Sequence, residues 1–371
     1  MLERSGRLVA LAFAMAGAIA APSLAAPRTA PGAAAMAQAA QRFLDGLTPE
    51  QQAQVTKPLD DGTARTNWHY LQESGHVRDG LPLRSLSATD RAAVHDLLVT
   101  ALSSQGYGKA AQVMWLEDVL RPVAEAAMQD ANLTGAGLER RRQLVDSFDS
   151  GKYWIVVFGS PHDPDWGWTL SGHHLAINVT VADGRIALTP LFLGAAPQKV
   201  ESGRYAGWRT LQHEIDKAIA LMAGLSLTQR ALAVQPGPVP ITLVADKGKP
   251  LPGAFAGITA AKLAPAQQAM LLGLVDEYLG NATDDAALAQ RAAIRSDGLG
   301  ALRFAWWGPV DDPSQRFMYR IHGPSILIEF IREPTSSNAP ANHVHSIVRD
   351  PRNDYGADWL RRHYTEQPHQ P

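Results

Sequence analysis

No cysteine occurs anywhere in the 371 residues. Disulfide staples, thiolate nucleophiles, cysteine-ligated zinc and iron–sulfur clusters are therefore excluded, and a bound metal would need nitrogen or oxygen ligands. The chain must stand on its own core, which a hydrophobic fraction of 46% permits. Blocks of like charge are missing too. Lys and Arg number 34 against 36 Asp and Glu, a formal net charge of −2, so no basic face recommends a nucleic-acid partner. Familiar catalytic signatures are also absent: no Gly-x-Ser-x-Gly elbow, no Walker-type phosphate loop, no Gly-x-Gly-x-x-Gly dinucleotide turn. "HEIDKA" at His213 begins like a zinc helix, but Lys217 stands where the second histidine belongs.

No apolar run is long enough to span a bilayer. "LVALAFAMAGAIAA" covers 14 residues from Leu8 to Ala21, short of the ~20 that a spanning helix needs. Arg4 and Arg7 precede it and "PSLAA" follows. That order of basic, apolar and small residues reads as a secretory signal peptide over residues 1–26, with an Ala/Pro-rich linker over 27–33. The expected product is exported, periplasmic or secreted, and keeps no membrane anchor after cleavage.

What is present begins with a repeat. "LTPEQQA" at Leu47, "LSATDRA" at Leu86, "LSLTQRA" at Leu225 and "LAPAQQA" at Leu263 share one helix-start pattern. Three place Ser or Thr at the N-cap, and two place Pro in the first turn. The first two lie 39 residues apart and the last two 38. Farther on, "VFGSPHDPDWGWTLSGHHLAINV" lies over "AWWGPVDDPSQRFMYRIHGPSILIEF", with Gly159 facing Gly308 and Gly172 facing Gly323. We expect an α+β fold, internally duplicated, with two pseudo-symmetric halves (34–200 and 201–365) packed as one compact unit. Each half should supply helices and antiparallel strands. Helices are expected over 34–46, 88–103, 108–129, 204–223, 265–279 and 284–297. Strands are expected at "YWIVVF", at "HLAINVTV" and "RIALTPLF" joined by an Asp-Gly turn, and at "FMYRIH", "ILIEFI" and "HVHSIV".

Histidines carry the chemistry that can be read. His173 and His174 open one strand, His322 closes another, and His343 and His345 open a third. Residues two apart on a strand share a face, so His343 and His345 can bind one ion together. Neutral imidazole suits zinc, copper or iron. His173 or His174 is the expected third ligand. Glu329 is the expected fourth ligand or general base, because a carboxylate inside "ILIEFI" needs a partner. Arg349 shares the strand face of the paired histidines and is expected to clamp an anion or carbonyl. Asp354 or Asp350 would orient a ligating histidine. Trp68, Trp168 and His322 are the candidate substrate contacts.

"FLDGLTPEQ", "RTNWHY", "GLPLRSLS", "VFGSP", "WGWTLSGHHLAINVTV", "PLFLGAAP", "YRIHGPSILIEF" and "NHVHSIVRDPRNDYG" together resemble the bacterial family called domain of unknown function 3500. The resemblance runs from about Ala37 to Tyr364. Its motif positions coincide with Trp168, Gly172, His173, His174, His322, His343, His345 and Asp354. It implies where a site lies and says nothing of the reaction. The expectation from the residues is an exported metal-dependent hydrolase of a small organic or carbohydrate-like substrate, using a divalent metal, zinc first, with copper or iron making the same shell oxidative. A non-catalytic periplasmic ligand-binding protein is the alternative.

Overall fold

The computed structural model describes residues 31–72, 77–130, 134–243, 251, 255–312, 314–334 and 340–366. The expected signal peptide and most of the linker lie outside the described residues. Helix α1 (Pro31–Asp45) starts inside the stretch expected to be linker. It is followed by α2 (Pro49–Val55), β1 (Thr56–Lys57), α3 (Gly62–Thr66), β2 (Leu81–Pro82), α4 (Ala88–Ala101), α5 (Ser104–Asp130) and α6 (Gly135–Ser147). Five strands close the first half: β3 (Tyr153–Gly159), β4 (Asp165–Gly172), β5 (Leu175–Ala182), β6 (Arg185–Ala187) and β7 (Leu191–Ala195). The second half opens with α7 (Gln212–Gly224), α8 (Leu227–Ala233), β8 (Ile258–Thr259), α9 (Pro265–Leu279) and α10 (Asp284–Asp297). It ends with β9 (Arg303–Trp307), β10 (Phe317–Gly323), β11 (Ile326–Glu333), β12 (His343–Arg349) and α11 (Ala357–Glu366).

The repeated heptapeptides do start helices, for the physical reason their residues suggest. Thr48 Oγ1 accepts from Gln51 N at 3.3 Å, and the Gln51 side chain accepts from Thr48 N at 3.0 Å. Ser226 and Gln229 form the same reciprocal cap at the same two distances. Ser87 caps α4 through Asp90 N. Ala264 has no hydroxyl to offer, and there Gln267 alone accepts from the cap N–H at 2.8 Å while Pro265 fills the first position.

The fold is α+β with one sheet of 12 strands among the described residues, ordered β1-β3-β4-β5-β7-β12-β11-β10-β9-β8, with β2 beside β3 and β6 beside β5. Antiparallel pairing of β7 with β12 joins the halves. On one side of that seam β1 runs parallel to β3 and β2 pairs antiparallel with it. On the other, Val234 bridges Trp306 in parallel and β8 pairs antiparallel with β9. Both hairpins β4–β5 and β10–β11 close over two residues, between Gly172 and Leu175 and between Gly323 and Ile326.

Several elements differ from expectation. The helix expected from 204 begins at Gln212, after Leu211 adopts a left-handed φ of 54°. "RIALTPLF" splits into β6 and β7, because Pro190 brings no N–H to the ladder. α6, α11, β4 and β9 were not expected. β4 ("DWGWTLSG") is buried at every position, so it lacks the polar alternation that marks a half-exposed strand.

Helices cover one sheet face and build the larger core, where Phe43, Leu98, Leu221 and Leu274 meet Leu170, Ile177, Tyr319 and Phe330. Removing side chains of this size from water contributes roughly 1.5–3 kcal/mol each. The opposite face carries a smaller core of Trp68, Tyr70, Phe192, Met318, Leu327, Ile331 and Ile347. Pleat alternation puts His343 and His345 on this second face, away from the main helices.

Candidate metal centre

Three elements converge at one end of the seam. β12 brings His343 and His345, directly across from Glu333 and Ile331 of β11. The β4–β5 turn brings His174, whose φ of 59° is left-handed and uncommon for a residue with a side chain. Two hydrogen bonds hold that turn in place: His174 N donates to Tyr70 O at 2.9 Å, and Gly194 N donates to His174 O at 2.8 Å. β7 contributes Gly194, opposite His345.

Ligand nitrogens of His174, His343 and His345 lie within 4.8 Å of one another. His174 Nε2 and His343 Nε2 are 2.8 Å apart, which for two neutral rings is one donor meeting one acceptor. His345 Nε2 is buried and has no hydrogen-bond partner. Around a tetrahedral ion with bonds of ~2.0–2.1 Å, ligand nitrogens stand ~3.3 Å apart. Opening the His174–His343 contact by about half an ångström would bring that pair to the spacing an ion needs. Burial drives all three imidazoles toward the neutral form, which is the form that donates a lone pair. It holds His174 and His345 well below the usual histidine range, with repulsion from neighbouring histidines adding to it. His343, the most exposed of the three, is lowered to about 4. The residues present fit a divalent ion.

The nearby carboxylate is Glu333. Its Oε1 is 3.5 Å from His345 Nδ1 and 3.9 Å from His343 Nδ1, the His343 nitrogen that does not face His174. Carboxylates that accept a hydrogen bond from the outer nitrogen orient ligating histidines, and Glu333 stands just outside that distance from His345. Burial raises the Glu333 carboxyl above its usual range, and Arg316, 3.5 Å from Oε2, opposes the rise. Tyr70 stacks on Phe192 at 4.1 Å between ring centres and turns its edge to His345 at 5.1 Å.

His173 is held differently. Its Nδ1 lies 2.7 Å from Glu117 Oε1 on α5, and its ring stacks on His174 at 3.8 Å with 27° between planes. Glu117, His173 and His174 also keep donor atoms within 4.8 Å. Imidazole lone pairs lie in the ring plane, however, so two stacked rings point alongside each other rather than at a common ion. His173 is better described as a stacking support for His174, fixed by Glu117.

Other expected site residues sit elsewhere. Glu329 shares the face of the histidines but stands opposite Ile347, fully buried, and Arg320 binds its Oε1 through Nε at 2.7 Å and a second nitrogen at 2.6 Å. Its polarity inside an apolar strand is satisfied by that partner, as Asn178 at the matching register is by Thr169 and the Pro190 carbonyl. Arg349 is on the same face too, but four residues beyond His345 at ~3.3 Å each, or ~13 Å away. There its Nε donates to Asp354 Oδ2 at 2.6 Å, and Asp354 Oδ1 accepts from Asp350 N. Asp350 and Asp354 thus cap the turn that follows β12 and do not reach the histidines. Trp168 lies under α1 on the helix-covered face, its Nε1 directed at Met36 Sδ. His322 packs on Phe255 at 4.0 Å in the second half. Trp68 belongs to the smaller core, donating to Tyr355 Oη at 2.8 Å beside Phe192.

Gly194, Glu333 and Glu117 escaped the sequence reading. A glycine inside the strand pattern "PLFLGA" was the available signal for the first. Glu333 needed the β11–β12 register, and Glu117 needed the packing of α5 on the β4–β5 turn.

Neither the curated proteins nor the solved structures contain a match to this chain. The family described as "Protein of unknown function (DUF3500)" matches residues 29–357, and the chain belongs to it.

Proposed function

We propose that the protein is an exported metal-dependent enzyme, a hydrolase of a small organic or carbohydrate-like substrate, whose ion is held by His174, His343 and His345. The observation that carries this reading is the convergence of three buried neutral imidazoles, with His345 Nε2 left without any other partner. A divalent ion there supplies a Lewis acid able to polarise a carbonyl or phosphoryl oxygen. His343 keeps 20% of its side chain exposed against 8% for His345, so a small substrate approaches from its side. Glu333 takes the orienting role expected of Asp354. Copper or iron on the same three imidazoles is the second reading, favoured by the absence of a carboxylate from the converging set, since imidazole suits those ions as well as zinc.

The halves are read here as copies of one ancestral unit. Support comes from the paired caps, the recurring β1/β2 and Val234/β8 pairings, and the equal closure of the two hairpins. In that reading the centre is built across the seam, one ligand from the first half and two from the second. Export rests on the N-terminal residues alone.

Elemental analysis of the protein purified from its native compartment tests the centre. Wild type should carry about one equivalent of a transition metal, and His343→Ala/His345→Ala should carry none. Metal-free wild type that takes up no ion would end the proposal.

A further inference from the structure

The two-residue turn between β10 and β11 closes at the same register as the one that carries His174, with Pro324–Ser325 in place of His173–His174, though Ser325 lacks the left-handed φ of His174. Their surroundings differ. The first turn meets α5 through the 2.7 Å contact of His173 with Glu117. The second meets α10 through Gln290, whose Nε2 donates to the Ser325 carbonyl, and beside that contact the packing opens.

A cavity of about 230 Å³ lies there, between α10, the end of α9, the β6–β7 segment and Trp359 of α11. Leu188, Leu191, Ala287, Ala293 and Ile326 give it apolar walls. None of His174, His343 and His345 lines it. One polar atom stands out. Ser325 lines the cavity, is 2% exposed, and its Oγ has no hydrogen-bond partner. A buried hydroxyl without a partner is unfavourable, so the wall favours a ligand that supplies one. Charge is not on offer. Arg352 at the rim pairs with Asp297 at 2.7 Å, Asp358 pairs with Arg361 and Arg362, and the Asp350 carboxyl, which burial raises toward its neutral form, accepts from the Arg352 amide at 3.0 Å. A charged ligand would lose its hydration here without a matching partner.

Size narrows the class further. An aliphatic cavity of ~150 Å³ takes up benzene, whereas pockets for drug-sized ligands start near ~300 Å³. We propose that this cavity is a binding site for a small uncharged molecule with a single ring and one hydroxyl or carbonyl group. The ring lies between Leu188, Ile326 and Trp359, and the polar group meets Ser325 Oγ.

Titration of the purified protein with benzyl alcohol and with toluene, followed by calorimetry and by thermal shift, tests this. Benzyl alcohol should bind saturably at one molecule per chain and raise the melting temperature. Ser325→Ala should weaken benzyl alcohol binding about tenfold, the worth of one hydrogen bond, and leave toluene binding unchanged. Ala287→Leu should abolish binding of both by filling the space. Ala293→Val fills less and serves if that variant does not fold. Failure of either probe to saturate wild type, or binding that survives both filling variants, would overturn the proposal. Because the site shares no residue with the histidine centre, His345→Ala should bind benzyl alcohol as wild type does, whatever becomes of the metal.

Discussion

Gly194 lies directly across from His345, and its bare Cα is what lets two imidazoles share the space above β7. A Cβ there would stand 2.9 Å from Cδ2 of His345 and 2.9 Å from Cδ2 of His174. Carbon atoms settle at ~3.5–4.0 Å, so both rings would have to move. The rings belong to segments far apart in sequence, yet a single missing methyl group sets their spacing.

Gly194→Ala should therefore separate ligand geometry from ligand identity. All three histidines remain, but the rings are displaced, and metal affinity should fall at least tenfold in a chelator-competition titration. Overpacking should also cost about 1–3 kcal/mol in urea unfolding. Unchanged affinity would mean that the ion is not held by His174 and His345.

The metal-free protein should lose stability as pH falls, and the sign follows from the direction of the shifts. Burial lowers His174, His343 and His345 in the folded state, while in the unfolded chain they titrate near ~6.5. Below that pH the unfolded state binds more protons, so the stabilisation present above ~6.5 drains away as pH falls toward the folded values. For His343, lowered to about 4, the loss is about 3 kcal/mol by pH 4. Melting temperatures between pH 7.5 and 4.5 should drop for wild type and drop less for His343→Gln. Equal slopes would remove the argument from burial.

How much of this could be read beforehand depends on range along the chain. The helix starts were readable because a cap is a contact across three residues, as Thr48 and Gln51 illustrate. The shared face of His343 and His345 was readable because strand alternation is local. His174 was expected to open a strand; it sits instead in the β4–β5 turn, and does join them. Glu329 was misplaced because alternation gives the face of a residue and says nothing of which neighbour lies beside it. That needs the register, which sets Glu329 against Arg320 and Glu333 against His343. Trp168 was misplaced for a related reason. β4 is buried on both faces, so its sequence does not distinguish the helix side from the histidine side.

Two glutamates on one strand face should behave oppositely. Glu333→Gln removes the carboxylate beside His343 and His345, and should weaken metal binding about 10–100-fold with little change in stability. Glu329→Gln leaves Arg320 buried with its charge uncompensated, and should cost about 3–5 kcal/mol in urea unfolding while metal stoichiometry stays at wild type. Exchanged outcomes would return Glu329 to the centre.

Arg349 closes the same logic at the far end of β12. Its Nε donates to Asp354 at 2.6 Å, and Asp354 in turn accepts from the Asp350 amide at 2.9 Å, so the pair fixes the turn that leads into α11. Arg349→Lys has no Nε to place there, and Asp354→Asn trades a charged acceptor for a neutral one. Each should lower stability by about 1–3 kcal/mol, the cost of breaking a hydrogen bond between charged groups. The double variant should cost less than the sum of the two, because the partners share one interaction. Metal content should not change in any of the three. A loss of bound metal in Arg349→Lys would place this arginine back among the residues that serve the ion, despite the ~13 Å of strand between it and His345.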